Sequence, residues 1–136
     1  VLGWVTSPRN LSDNFLFRTA EAYLNGAEAA ALAGEETEAR SLLKTLRDHR
    51  LLVSRPITES GQALVDLIRL ERQRELCLDG HRWFDLRRCG MPEMIHEVTI
   101  NKGQVQEYRL AKGSDRYVLP IPKKVLDKNP ALVQNP

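Results

Sequence analysis

Apolar residues recur every three to four positions over residues 12–50, which predicts two successive amphipathic helices. The first, SDNFLFRTAEAYLNGAEAAALAG, is predicted to begin at Ser12 or Asp13 and to end at Gly34. Its apolar face holds Phe17, Ala20, Leu24, Ala27 and Ala31. The second, EETEARSLLKTLRDHR, has a face formed by Ala39, Leu42, Leu43 and Leu46. A short glycine turn between them predicts an antiparallel hairpin, which fits either one tetratricopeptide-like unit or a generic helical hairpin.

The pattern changes twice further along the chain. After the linker SRPITES, a third helix is predicted from Thr58 or Ser60 to Asp79, and a fourth from His81 to Cys89. Alternation in EVTINKGQVQEYRL predicts a small β-hairpin. The proline-rich end is predicted to be extended, with one helical turn over residues 123–126. We therefore expect a mainly α fold with tetratricopeptide-like helical hairpins, a small β-hairpin and an extended proline-rich C-terminal tail.

Composition and charge narrow the function classes. The chain has 136 residues, is 42% hydrophobic and carries a net charge of +2, as expected of a soluble globular protein. Residues 68–90 carry six arginines and four acids, which account for the whole net charge, and the remaining 14 basic and 14 acidic residues cancel. The acids are interleaved with the arginines, which argues against nucleic-acid binding. The chain begins at Val1 without a signal peptide or a membrane-spanning run, and we expect it to be a piece of a longer protein or a processed product.

The third helix carries two carboxylates on its predicted apolar face. On a helical wheel Glu71 and Glu75 fall in the same arc as the group Leu64, Leu67, Ile68 and Leu78, with Arg72 on one flank. Buried carboxylates need a charged partner, and guanidinium binds them in a bidentate way. The following helix offers Arg82, Arg87 and Arg88. We therefore predict a structural salt-bridge network formed by Glu71, Arg72, Glu75, Arg82, Asp85 and Arg88.

Other chemistries fit this stretch less well. Neighbouring arginines would keep paired carboxylates ionised, which disfavours glycosidase-like acid–base catalysis. Glu93 and His96 form a single Glu-x-x-His, where a carboxylate-bridged metal site in a helical bundle needs two. Cys77 and Cys89 are predicted to be free thiols, because nothing else in the sequence suggests a disulfide scaffold. Together with His81 and His96 they match no compact zinc pattern. No phosphate-binding loop or nucleophile–base pair is evident, and no cofactor is expected.

The segment LERQRELCLDGHRWFDLRRCG resembles the C-terminal signature of the SusD-like (RagB/SusD) family of nutrient-binding outer-membrane lipoproteins. FLFRTAEAYLNGAEAAALAG with ARSLLKTLRDHR is similar to that family's tetratricopeptide-like hairpin, and RYVLPIPKKVLDKNPALVQNP to its usual ending. The chain departs from the family pattern at Cys77, Lys123 and Lys124. On this resemblance residues 1–55 are the helical hairpin and residues 56–136 the signature region, together one fragment of a larger domain.

The resemblance implies a non-enzymatic function. Such a protein binds oligosaccharide nutrients at the bacterial cell surface during polysaccharide utilization and delivers them to a SusC-type TonB-dependent transporter. It is held to the outer membrane by an N-terminal lipid that this chain lacks, and no nucleic acid is involved. The residues that bind ligand are expected to lie largely outside this signature. The alternative is a tetratricopeptide-type protein-interaction module whose first hairpin binds a peptide or a partner helix.

Overall fold

The structure, a computed structural model, describes residues 18–100 and 103–135. These residues form five α-helices, a two-stranded antiparallel sheet and one 3-10 turn. In chain order they are α1 (Thr19–Leu32), α2 (Glu36–Asp48), α3 (Gly61–Glu75), α4 (Arg82–Arg88), β1 (Met94–Thr99), β2 (Val105–Leu110), the 3-10 turn (Asp115–Tyr117) and α5 (Lys123–Leu126). The predicted mainly α fold with a small β-hairpin is confirmed.

The chain divides into two units, the first ending at Cys77 and the second starting at Leu78. Helix α3 packs on α1 within the first unit. The predicted domains 1–55 and 56–136 stay a prediction, and they would separate α3 from the hairpin that it packs on. None of the helices in the described ranges has the length and apolar character needed to cross a bilayer.

The turn between α1 and α2 is fixed by Gly34. Its φ of +84° lies in the left-handed region, where glycine carries no steric penalty. The Gly34 N–H donates to the carbonyl of Ala31 (3.2 Å), and the Glu35 N–H donates to that of Ala30 (2.8 Å). This pair of bonds is the Schellman motif, which satisfies carbonyls left free at a helix end. Gly34 therefore ends the first helix as predicted, whereas the predicted starts at Ser12 or Asp13 and the apolar residue Phe17 lie outside the described residues.

Small residues let α1 and α2 approach closely. A Cβ added at Gly26 would lie 3.2 Å from Leu42 Cδ1, a distance tighter than ordinary van der Waals contact. Helices α1, α2 and α3 share one apolar cluster, whose buried members are Ala20, Leu24, Ala27, Ala30, Ala39, Leu43, Leu46, Leu64 and Ile68. The small alanine side chains of α1 thus let its backbone lie close to α2, and larger apolar side chains of α2 and α3 fill the remaining space.

Helix α3 ends earlier than the sequence indicates. We predicted helix to Asp79, but α3 stops at Glu75 and residues 76–80 form turns. Leu78 has a φ of +70° and is 92% exposed, so it does not continue the apolar stripe. The prediction for Leu78 is wrong because a helical wheel assumes that the helix continues, and a left-handed residue ends that periodicity.

The second unit is organised around Tyr117. Its ring is fully buried and stacks on Trp83 with 5.0 Å between ring centroids. Its hydroxyl donates to the carbonyl of Pro92. In the hairpin His96 pairs with Tyr108, and β1 begins three residues before the predicted start at Glu97. Tyr117 therefore connects α4 with the segment that precedes β1.

Core burial in α1 gives a direct test of this packing. Leu24 is fully buried, and Leu24→Ala should lower the free energy of unfolding by about 2–5 kcal/mol. Leu32 lies on the same helix but is 64% exposed, so Leu32→Ala should change that free energy by less than about 0.5 kcal/mol. Urea denaturation followed by circular dichroism measures both, and equal losses would contradict the packing described.

Candidate functional site

The two carboxylates singled out in the sequence both lie on the buried side of α3. The side chain of Glu71 is 13% exposed and that of Glu75 is 10% exposed. They follow Leu64 and Ile68, which are fully buried in the apolar cluster. The helical wheel therefore placed both acids correctly, and their charges must be compensated inside the first unit.

Glu71 is bound by Arg47 of α2. Arg47 Nε and Nη2 both donate to Glu71 Oε2, at 3.0 and 2.7 Å. The Arg47 side chain is itself only 15% exposed. Such a charge-assisted pair, held largely out of water, is stronger than an exposed ion pair and costs more to break.

Glu75 is held between two arginines at the C-terminus of α3. Arg18 Nη2 donates to Glu75 Oε1 at 2.7 Å, and Arg18 Nη1 donates to the backbone carbonyl of Glu75 at 3.0 Å. Arg50 Nε lies 3.0 Å from Glu75 Oε2, and this hydrogen bonding raises the pKa of the Arg50 guanidinium. The last carbonyls of a helix have no partner inside it, so Arg18 also completes the end of α3. One carboxylate thereby connects the start of α1, the end of α2 and the end of α3.

A row of polar contacts continues along α1 and α3. Arg72 is buried and donates to Asn25 Oδ1 at 2.8 Å, with Glu21 Oε1 at 3.5 Å. Arg69 Nε donates to the buried Glu28 Oε1 at 2.8 Å. The partners on α1 advance as those on α3 recede, so the two helices run antiparallel. Their interface combines an apolar centre with charged pairs along its length.

The start of α3 is capped from another helix. Ser60 occupies the predicted cap position, but its side chain makes no capping bond. Instead Glu36 Oε1 accepts from the Gly61 N–H at 2.6 Å, while Arg40 binds Glu36 and the carbonyl of Glu59. Sequence reasoning missed this cap, because the acid lies 25 residues upstream and no local motif marks it.

The guanidiniums found on Glu71 and Glu75 belong to arginines that the sequence did not single out. We predicted Arg82, Arg87 and Arg88 as partners, but the guanidiniums on these acids come from Arg18, Arg47 and Arg50. A helical wheel identifies the face of a helix, whereas the three-dimensional packing decides which neighbours cover that face, so these three arginines were not foreseen. Within α4 Arg88 Nε donates to Asp85 Oδ1 at 2.9 Å, and Arg82 is exposed. A single network containing all six predicted residues stays a prediction.

Exposed ion pairs behave differently from the buried ones. Hydrogen bonds from Lys44 lower the pKa of Asp48, and a hydrogen bond from Arg109 lowers the pKa of Glu93. A carboxylate with a lowered pKa stabilises the fold above its unfolded pKa, and the contribution is lost as the pH falls through the folded value. Because these pairs are solvated, we assign them little of the stability.

The arrangement supports bracing rather than catalysis or metal binding. Guanidinium donors occupy Glu71 Oε2 and both oxygens of Glu75, so a substrate or cation would have to displace them there. Among the described residues no group of three or more His, Cys, Asp or Glu side chains is arranged to hold a metal ion. A cleft of about 260 Å³ between α1 and α2, lined by Tyr23, His49 and Arg50 among others, is smaller than most ligand pockets.

Comparison with known proteins identifies the family. The family model described as SusD family matches residues 5–136, and the chain belongs to the SusD family. It is 33% identical to the SusD-like protein P38 of Formosa agariphila, over 88% of this chain and 24% of that protein. It is also similar to a crystal structure of a SusD-like protein from Bacteroides fragilis, with a TM-score of 0.64 and 26% identity over 95% of this chain and 27% of that one.

The family assignment confirms the resemblance found in the sequence. The chain spans about a quarter of the length of the relatives that it matches. The SusD-like signature includes the segment with Glu71 and Glu75, whose side chains hold helices together in this structure. The features that identify the family here are therefore at least partly structural.

The Glu71 pair gives a second test. Glu71→Gln removes the charge that Arg47 binds. It should lower the free energy of unfolding by about 2–4 kcal/mol, slightly less than the loss expected when one partner of a fully buried ion pair is removed. Asp48→Asn makes the same chemical change in an exposed pair of α2 and should leave stability unchanged. Urea denaturation at neutral pH measures both, and a Glu71→Gln variant as stable as the parent would refute the bracing role.

Proposed function

We propose that this chain is the signature-bearing part of a bacterial cell-surface protein that binds oligosaccharide nutrients and delivers them to a SusC-type TonB-dependent transporter. The observation that carries the proposal is the SusD family match over residues 5–136. The SusD-like relative and the SusD-like crystal structure support it. The protein acts by binding, without chemical conversion of the glycan.

The surface location forms part of the same proposal. The protein lies at the outer membrane as a surface-exposed lipoprotein. The SusD family match supports this location.

Within that protein this chain serves as a scaffold. Glu71 and Glu75 connect three helices, and both carboxylates are already bound by arginines. The cleft between α1 and α2 is small for an oligosaccharide, which extends over several sugar rings. We therefore place the glycan-binding residues elsewhere in the protein, and we assign Glu71, Arg72, Glu75, Arg82, Asp85 and Arg88 to structural support.

A tetratricopeptide-type interaction module is the second candidate. The cleft on the first hairpin, with Tyr23 and His49 at its wall, is the feature that favours it. That function would require a peptide or helix bound along α1 and α2. Loss of partner binding in a Tyr23→Ala variant, with glycan binding absent in the parent, would favour this candidate over the first.

The glycan-binding proposal is tested on the SusD-family protein that contains this chain. Isothermal titration calorimetry against a panel of oligosaccharides should give saturable binding of at least one glycan. Chromatography of the same mixtures after long incubation should return the glycan intact. Failure of every glycan to bind, or release of shortened products, would overturn the proposal.

If this chain is a scaffold, a substitution at Glu71 should lower the stability of the protein without weakening its affinity for the glycan. In that protein Glu71→Gln should lower the melting temperature, because Arg47 loses its counter-charge. Measured well below the melting temperature, the Kd for the glycan should stay within about twofold of the parent value, a difference of about 0.4 kcal/mol. A more than tenfold weaker Kd in a folded variant would instead place Glu71 in the ligand site.

A further inference from the structure

The second unit buries few apolar side chains. From Leu78 onward, the described hydrophobic residues that are buried are Leu86 and Tyr117. Large apolar residues that stay exposed in the same stretch are Leu78, Phe84, Ile95, Ile100, Val105, Tyr108, Leu119, Val125, Leu132 and Val133. A unit of this size needs a larger core to fold alone, since small domains bury too little surface to offset the loss of chain entropy. The small core of the described residues therefore indicates that some of these exposed apolar side chains contact a surface outside this unit.

One part of this surface has the form of a docking groove. An open groove of about 440 Å³ is lined by Phe84, Met91 and Val118, with Arg87 and Arg88 beside them. Phe84 is 60% exposed, although it lies on α4 one residue after Trp83, whose ring stacks on Tyr117. Buried aromatic anchors bordered by arginines are typical of the centre of a protein interface.

The charge at the groove indicates the chemistry of its partner. Arg88 binds Asp85 of the same helix, whereas Arg87 is an exposed guanidinium at the edge of the apolar floor. A guanidinium in this position favours a carboxylate, which it can bind in a bidentate way. The matching surface is therefore an apolar side chain next to an aspartate or glutamate.

The length of the relatives indicates where that surface is. The matched region makes up 24% of one relative and 27% of the other, so about three quarters of each lies outside it. We propose that the groove formed by Phe84, Met91, Val118 and Arg87 binds a segment of the same SusD-family polypeptide outside residues 1–136, which places an apolar side chain on Phe84 and a carboxylate on Arg87. This inference rests on family membership and is independent of the glycan that the protein binds.

Photo-crosslinking in the protein that contains this chain tests the proposal directly. The substitution Phe84→p-benzoylphenylalanine keeps an aromatic ring in the groove and reacts with whatever lies against it. We expect irradiation to give one dominant crosslink, within one polypeptide, to a peptide outside residues 1–136. The same probe at Gln106, an exposed position on β2, serves as a control for nonspecific crosslinking.

Every other crosslinking result counts against the proposal. A crosslinked dimer on a denaturing gel would assign the groove to a second copy of the protein. A crosslink to residues 1–77 would assign it to the first unit of this chain. Crosslinking no stronger than at Gln106 would mean that the groove is open to solvent.

Thermal melting gives an independent readout in the same protein. Phe84→Asp should lower the melting temperature by several degrees, because a carboxylate would be desolvated between the two segments, whereas Phe84→Leu should lower it less and Gln106→Glu should not change it. If Phe84→Asp yields no soluble protein, Phe84→Ala gives the same comparison. An unchanged melting temperature in a soluble Phe84→Asp variant, or a loss of glycan affinity without a change in melting, would overturn the proposal.

Discussion

The first unit depends on the pairing of carboxylates on α3 with arginines that lie on α2, just before α1 and just after α2. A carboxylate on an apolar helix face is costly to desolvate, and only a charged donor with suitable geometry offsets the cost. Arg47 binds Glu71, and Arg18 and Arg50 bind Glu75 from two sides. These contacts fix which part of α3 lies against which part of the hairpin. Apolar packing alone would tolerate a helix that slides by one turn, whereas charged pairs at defined positions would not.

The two interfaces of α1 are built differently. Towards α2 the helix presents alanines and Gly26, which allow a close approach. Towards α3 it adds Glu21, Asn25 and Glu28, which meet arginines of the opposite helix. The apolar cluster supplies the bulk of the burial, and the polar row sets the register. This combination accounts for a helix rich in small residues that still packs in one defined arrangement.

The sequence predicts the helices and the side chains on their faces better than it predicts their neighbours. Periodicity located α1 and α2, and it placed Glu71 and Glu75 on the covered face of α3. The glycine at position 34 marked a helix end, and its φ is positive in the structure. Periodicity did not reveal that α3 stops at Glu75, because Leu78 gave no local signal of a left-handed conformation. The nearest arginines in sequence lie on α3 itself, but the arginines that bind these acids lie 24 to 57 residues away. Long-range pairing follows from the packing of whole helices, which no local pattern encodes.

Glu71, within the SusD-like signature, stabilises the fold by pairing with Arg47 of another helix. A double-mutant cycle with Arg47→Met, Glu71→Gln and the combined variant measures their coupling free energy directly. We predict a favourable coupling of about 1.5–3 kcal/mol from urea denaturation at neutral pH, which largely persists in high salt because both side chains are shielded from water. Coupling near zero, with the losses of the two single variants simply adding, would contradict the account.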